Sequence, residues 1–145
     1  MTALTDIKRR CEAVEACYEF LLAYAAQGVD DDRQSRNGGQ LRELLVAAVA
    51  AAAGLADAGL AAVSILGLDT DRRYLAFCGV LRQDATKALA VLELVLAQPR
   101  IGSQLIDNCN ASLHLRALLT DIFLLDEVLR GHGLGHGADG PAGGA

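Results

Sequence analysis

Four polar side chains follow one line along the last predicted helix: Asp107, Asn110, His114 and Asp121. Spacings of three, four and seven residues place such side chains on one face of a helix, and here that face lies between two apolar arcs. Carboxylates and imidazoles in these positions can bind iron, manganese or zinc, or form a hydrogen-bonded pocket for a small cofactor. Asp84 flanks the apolar arc of the preceding helix and is the fifth candidate for a buried polar site.

These residues admit two interpretations, because a buried carboxylate is destabilising by several kcal/mol unless it has a partner. The first is a metal or cofactor site, for which His114 and Asp121 are the metal-ligand candidates. Since these two lie about 10 Å apart along one helix, a single ion would need further ligands from other helices. The second interpretation, which we favour, is a structural network that fixes helix register or dimer pairing. No cofactor is therefore predicted.

The last predicted helix also carries more apolar surface than a bundle core needs, since a bundle helix buries one stripe and this helix offers two. A symmetric dimer would cover the surplus, which would promote aggregation if it stayed exposed. We therefore predict a homodimer, with contacts to another protein through helical surfaces as a further use of this area. The predicted interface comprises Leu115, Leu118, Ile122, Leu125 and Leu129.

Motifs that would indicate catalysis are missing from the sequence. It contains no nucleophile elbow, P-loop, dinucleotide fingerprint or HExxH motif, and no Glu-x-x-His pair of the kind that di-iron bundles use. His114 is followed by Leu115, which does not match the exposed His of phosphotransfer bundles. No catalytic residue is predicted. The predicted function is an adaptor, scaffold or assembly factor that acts through protein–protein contacts.

Composition indicates the fold class. The chain has 145 residues, which is enough for one domain, and contains 26 Ala and 25 Leu against 2 Pro. Ala and Leu favour helix most strongly and Pro disfavours it most strongly, so an all-α fold is predicted. With 52% hydrophobic and 4% aromatic residues, the sequence is unlike that of all-β, collagen-like or disordered proteins.

Apolar periodicity predicts four long helices. The seam of the first helix repeats every three or four residues from Leu4 to Ala25. Short links between helices of this length favour an up-down-up-down four-helix bundle over residues 1–130, and the Gly/His-rich residues 131–145 are predicted to form a flexible, disordered tail. The predicted helices span residues 5–27, 39–66, 69 or 70 to 98, and 103 to 130. Gly28 is predicted to end the first helix and Pro99 the third, and the predicted N-caps are Asp69 or Thr70 for the third helix and Ser103 for the fourth.

Charge and cysteine usage limit the classes of partner and the cellular compartment that the sequence predicts. The net charge is −5, and the one run of cations, residues 8–10, is predicted to be solvated, so neither nucleic-acid binding nor a basic patch is predicted. The acidic residues 30–32 lack calcium-loop spacing and are predicted to lie in a solvated loop.

The four Cys residues form no CxxC pair, which predicts reduced, packed thiols in a cytoplasmic protein. Residues 44–68 are mostly Ala and Gly around Asp57, which predicts a buried helix and no membrane span.

Overall fold

Residues 2–132 of the chain fold into six α-helices. The computed structural model describes residues 2–132, and within that range it contains no strand, so the predicted all-α class is confirmed. The predicted count of four helices is wrong, because the second and the fourth each divide into two. Most of the predicted tail, residues 133–145, lies outside the described residues. The helices are α1 (Ala3–Ala25), α2 (Gly38–Ala53), α3 (Leu55–Ile65), α4 (Arg72–Leu96), α5 (Ser103–Asn110) and α6 (Leu113–Gly131), with a 3-10 turn at Asp32–Gln34.

The break between α2 and α3 occurs at Gly54 and bends the chain by 53°. Arg10, on α1, occupies this break: its Nη1 donates to the carbonyls of Ala50 and Ala51, both at 3.2 Å. A Cβ at position 54 would lie 2.5 Å from Arg10 Nη1, so glycine leaves the room that the guanidinium needs. Arg10, which the sequence predicts to be solvated, is therefore partly buried and connects α1 to the end of α2.

Residues 2–132 include no single helix that is both long and apolar enough to cross a membrane. Taken together, α2 and α3 reach that length and composition, but the bend separates them. Both helices pack against α1 and α4, which accounts for the apolar character of residues 44–68.

A second break, at Ala111 and Ser112, separates α5 from α6. Ser112 Oγ accepts a hydrogen bond from the His114 N–H at 3.3 Å and caps the start of α6. The break restarts the helical phase. Angular positions counted continuously from Asp107 to Asp121 therefore do not hold on both sides of it.

Two predicted helix starts differ from the observed ones. Asp71 caps α4, because its carboxylate accepts a hydrogen bond from the Arg73 N–H at 2.9 Å. The predicted caps, Asp69 and Thr70, are therefore one or two positions too early. Ser103, the predicted cap of the last helix, is instead the first residue of α5, and its hydroxyl binds two other segments of the chain.

The core forms where α1 and α4 pack against the remaining helices. α1 contacts α2, α3 and α5 most extensively, and α4 contacts α2, α3 and α6. Fully buried alanines such as Ala48, Ala62 and Ala88 allow α2, α3 and α4 to approach their neighbours closely. Each buried Leu, Ile or Val side chain contributes about 1.5–3 kcal/mol of hydrophobic stabilisation, so packing, and not polar pairing, supplies most of the stability of the helices.

Candidate functional sites

The structure separates the five predicted polar-site residues. Asn110 and Asp121 are 8% and 9% exposed, and Asp84 is partly buried. Asp107 and His114 are exposed, so the prediction that they lie on a buried face is wrong. Two effects account for the difference: the break at Ser112 shifts the helical phase, and His114 lies in the first turn of α6, where the helix end faces water.

Asn110 belongs to the contact between α5 and α1. Its Nδ2 donates to the Leu21 carbonyl at 3.1 Å, and this bond is buried. Its Oδ1 is also buried and has no hydrogen-bond partner among residues 2–132. The side chain therefore connects the end of α5 to α1 through one hydrogen bond and retains one unused acceptor.

Asp121 and Asp84 form a carboxyl pair between α6 and α4. Burial, with a smaller contribution from the neighbouring carboxyl of Asp84, raises the pKa of Asp121 to about 7. Asp121 Oδ2 is buried without a hydrogen-bond partner among the described residues. Two adjacent carboxyl groups, one of them buried, are most stable when they share a proton. This pair therefore gains or loses a proton close to neutral pH.

The predicted interface residues all lie in the core of the chain. Each is at most 3% exposed, because α6 packs against α4, α1 and α5 and uses a broad arc in doing so. The second apolar arc is thus not surplus surface, because these side chains pack within the chain, and of the five only Leu125 and Leu129 also border the apolar groove between α3, α4 and α6. The residues are Leu115, Leu118, Ile122, Leu125 and Leu129.

Metal-ligand and thiol chemistry have no organised site in the described part of the chain. Among residues 2–132, no three His, Cys, Asp or Glu side chains come together in an arrangement that could hold a metal ion. The four cysteines are free and buried. Burial raises the pKa of Cys11 and Cys17 to about 12 and that of Cys109 to about 11, and it also raises the pKa of Cys78. These thiols are therefore protonated and weakly nucleophilic at neutral pH.

An apolar groove opens where α3, α4 and α6 meet. Its volume is about 340 Å³, at the lower end of the roughly 300–1,000 Å³ that is typical of ligand pockets. Tyr74 and Phe77 lie three residues apart on α4, and Leu124 and Val128 lie four apart on α6. These spacings place each pair on one ridge of its helix. The groove is lined by Val63, Arg73, Tyr74, Phe77, Leu124, Leu125, Val128 and Leu129.

Apolar surface continues from the groove onto the outer side of α6. Leu124 is 53% exposed, and its neighbour Phe123 is 57% exposed. Sequence periodicity assigns Tyr74 and Phe77 to the core arc of their helix. It cannot show that the end of α6 covers that arc incompletely, so the groove has no signal in the sequence.

Polar groups stand at the edge of the groove nearest the start of α4. The side chain of Arg73 is 82% exposed and pairs with Asp71 at 2.8 Å. The Tyr74 hydroxyl lies 3.1 Å from Nε2 of His132, the residue that follows α6. This edge therefore offers hydrogen-bond donors beside an apolar cavity.

A second region, the loop cluster, joins the loop at residues 26–37 to the loop at residues 97–102 and consists of Tyr24, Asp32, Arg42, Ile101 and Ser103. Asp32 is 6% exposed, and its carboxylate accepts bonds from Arg42 Nε at 2.6 Å and Nη2 at 3.2 Å. The Ile101 N–H donates to the same carboxylate at 3.0 Å. The hydrogen bond from Arg42 holds the pKa of Asp32 below its usual range. The prediction of a solvated acidic loop is therefore wrong for Asp31 and Asp32, which are both buried. Arg33 pairs with Asp31, and the distant Arg42 neutralises Asp32.

Arg42 also binds the end of α4. Its guanidinium donates to the carbonyls of Gln98 at 3.1 Å, Pro99 at 3.3 Å and Leu96 at 3.4 Å. The last carbonyls of a helix lack partners within the helix and carry partial negative charge. One side chain thus connects the start of α2, the acidic loop and the end of α4.

Tyr24 and Ser103 complete the loop cluster. The Tyr24 hydroxyl donates to the Ile101 carbonyl at 2.7 Å. Ser103 Oγ donates to the Tyr24 carbonyl at 2.9 Å and accepts from the Val29 N–H at 3.0 Å. The side-chain polar groups of the cluster are thus bonded within the chain, which suits a structural role.

The chemistry available to the molecule therefore differs by region. The loop cluster commits its polar side chains to internal bonds, the pair of Asp84 and Asp121 can take up or release a proton, and the groove can bury apolar atoms of another molecule. Comparison of the chain with protein-family models, with curated proteins and with solved structures finds no match.

Proposed function

We propose that this chain is an adaptor that binds a partner protein through the apolar groove and that it works as a homodimer. The groove supports the first part of the proposal: apart from Arg73, every side chain that lines it is aliphatic or aromatic. Open apolar surface on a folded domain marks sites where other molecules bind, because it gains stability when it is removed from water.

The occupant that fits the groove is an amphipathic helix of the partner protein. Two facing helices, α4 and α6, present ridges with three- and four-residue spacing, and such ridges accept side chains of a third helix at the same spacing. Exposed Leu124 extends the apolar area past the cavity, which favours a partner larger than the cavity itself. Arg73, at the edge, offers donors to a polar residue that flanks the apolar anchors.

We also propose that the six helices form an up-down-up-down four-helix bundle in which α2 with α3, and α5 with α6, each make one bent leg. The contacts of α1 with α2 and α3, and of α4 with α2, α3 and α6, support this arrangement. In such a bundle the groove lies at the end where α4 begins and α6 ends, away from the loop cluster.

Affinity capture with matched variants tests the groove. Leu124→Asp places a charge at the groove mouth, and Val46→Asp makes the same change on α2, where Val46 is exposed to a similar degree, 55%. We expect the wild type and Val46→Asp to retain the same partner from a lysate and Leu124→Asp to retain at least about tenfold less, since a charge in an apolar contact is costly. Cross-linking mass spectrometry should then map the contact to an amphipathic helix of that partner.

Two results would contradict the proposal. One is equal retention of every captured protein by all three forms, which would remove the groove from any contact. The other is a cross-link that leads to a partner segment without helical apolar spacing. Circular dichroism of each variant, compared with the wild type, controls for folding.

A further inference from the structure

The outer side of α6 carries a stripe of six exposed residues, here called the outer stripe. Spacings of three and four residues alternate along it, so its members share one face of the helix. All six are exposed, although two of them, Leu113 at 75% and Phe123 at 57%, are large and apolar. The outer stripe consists of Leu113, Arg116, Thr120, Phe123, Glu127 and Arg130.

The outer stripe is complementary to itself when read in the opposite direction. Its members fall into three pairs that are symmetric about the midpoint between Asp121 and Ile122. When two copies of α6 lie antiparallel about that midpoint, each residue of a pair meets the other residue on the second copy. The pairs are Thr120 with Phe123, Arg116 with Glu127, and Leu113 with Arg130.

Charge selects the antiparallel arrangement. Arg116 and Glu127 are exposed, and neither takes part in an ion pair within residues 2–132. Glu127 follows Arg116 by 11 positions, about three helical turns and about 16 Å along the axis. Antiparallel pairing places Arg116 of each copy opposite Glu127 of the other, which gives two ion pairs. Parallel pairing in register would place like charges opposite each other.

The centre of this contact is apolar. In this antiparallel arrangement Phe123 would lie against Thr120 of the second copy, and the twofold axis would repeat the contact, so both rings would lose water near the middle of the interface. At each end, Leu113 meets the side chain of Arg130, whose aliphatic stem can cover apolar surface while its charged group stays with Asp126 at 2.8 Å. Apolar centres with charged edges are typical of protein interfaces.

We propose that α6 pairs antiparallel with α6 of a second copy of this chain through the outer stripe, with two Arg116–Glu127 ion pairs flanking a Phe123–Thr120 centre. The proposal rests on the homodimer of the proposed function and names its surface. It uses a face of α6 different from the buried residues that periodicity indicates, and it does not depend on what binds the groove.

Sedimentation equilibrium of charge-swap variants tests the pairing. Arg116→Glu alone and Glu127→Arg alone each place like charges together at both symmetric positions, so we expect each to weaken dimerisation at least about tenfold. The double variant restores opposite charges and should dimerise within about threefold of the wild type. Glu43→Arg and Arg36→Glu, exposed changes of the same size elsewhere, should leave the dimer constant unchanged.

Three outcomes would overturn the inference. If both single swaps dimerise like the wild type, a dimer exists but uses another surface, and the homodimer of the proposed function stands. If the double variant stays as weak as the single ones, Arg116 and Glu127 do not pair. If the wild type is a monomer throughout the micromolar range, the homodimer fails together with its surface, while partner capture through the groove is judged separately.

Discussion

The loop cluster and the apolar groove lie at opposite ends of α4, and they differ in how their groups are partnered. At the end of α4, Arg42 donates to the carbonyls of Leu96 and Gln98 and also binds Asp32. Near the start of α4, Tyr74 and Phe77 line a cavity of about 340 Å³ that no segment of the described chain fills. The polar side chains of the loop cluster are bonded within the chain, whereas the apolar side chains of the groove face an open cavity.

This difference shows how one small domain can separate stability from binding. Long-range hydrogen bonds in the loop cluster hold segments 69 to 79 positions apart in sequence, so substitutions there should affect folding. The side chains at the mouth of the groove contribute little to the stability of the fold, so substitutions there should affect contacts with other molecules. Matched substitutions in the two regions should therefore differ in whether they change stability or binding.

The largest expected effect comes from Asp32→Asn in the loop cluster. The change removes the buried charge that balances Arg42 and weakens the bond from the Ile101 N–H, so the free energy of unfolding should fall by about 2–3 kcal/mol. Urea denaturation measures it. Asp57→Asn is the control, since Asp57 is 77% exposed in its ion pair with Arg82, and it should change stability by less than about 0.5 kcal/mol. Equal effects of the two substitutions would contradict a structural role for Asp32.

Tyr→Phe substitutions in the loop cluster and in the groove should lower the free energy of unfolding by different amounts. Tyr24→Phe removes a buried bond to the Ile101 carbonyl and should lower the free energy of unfolding by about 1–1.5 kcal/mol. Tyr74→Phe removes only the exposed contact with His132 and should lie within about 0.5 kcal/mol of the wild type. Thermal unfolding of both variants provides the measurement, and a larger loss for Tyr74→Phe would reverse the comparison.

Asp121→Asn should stabilise the protein, in contrast to the same change at Asp32. The folded-state pKa of Asp121, about 7, lies above its ordinary value of 3.8. The stability gained from the retained proton is fully present below about pH 4 and is lost as pH rises through about 7. The amide that replaces the Asp121 carboxyl does not titrate and can donate a hydrogen bond to Asp84. We therefore expect the substitution to raise the free energy of unfolding by about 1 kcal/mol at pH 8.

The pH profile checks that prediction. Between pH 5 and pH 8, the difference in unfolding free energy between Asp121→Asn and the wild type should grow as pH rises. Asp107→Asn changes the charge equally at an exposed position and should leave the wild-type profile unchanged. A constant difference across this range would show that Asp121 does not retain a proton in the folded state.

The smallest effect on stability is expected at the groove mouth. Leu124 is half-exposed, so Leu124→Asp should change the free energy of unfolding by less than about 0.5 kcal/mol. Urea denaturation beside the wild type measures the change. A loss of several kcal/mol would show that Leu124 belongs to the core and that the groove is part of the fold.

Local composition and periodicity were sufficient for the helical class and for the extent of the first and third helices. α1 and α4 end within two residues of the positions that Gly28 and Pro99 predict. Both helix ends depend on a residue that is close in sequence. Gly28 adopts positive φ, and Pro99 restricts the backbone of the residue before it. The deeply buried side chains of these helices, such as Leu21 and Leu92, also follow from the three- and four-residue repeat.

Features that depend on distant partners could not be predicted. The break at Gly54 accommodates Arg10, which is 44 positions away in sequence; a glycine among alanines marks a weak point of the helix, but it does not reveal the arginine that occupies the break. Asp32 is buried only because Arg42 and Ile101 reach it. On the last helix, the cap at Ser112 changes the phase of every later residue, and for this reason a single helical wheel places polar groups on the wrong face.

Partner retention by folded Leu124→Asp tests the separation of stability from binding most directly. The variant should unfold with the same free energy as the wild type and yet retain at least about tenfold less partner, while Asp32→Asn should unfold more easily and, below its transition, retain the partner as the wild type does. If Leu124→Asp keeps its partner, or if Asp32→Asn loses it while still folded, the groove is not the binding surface.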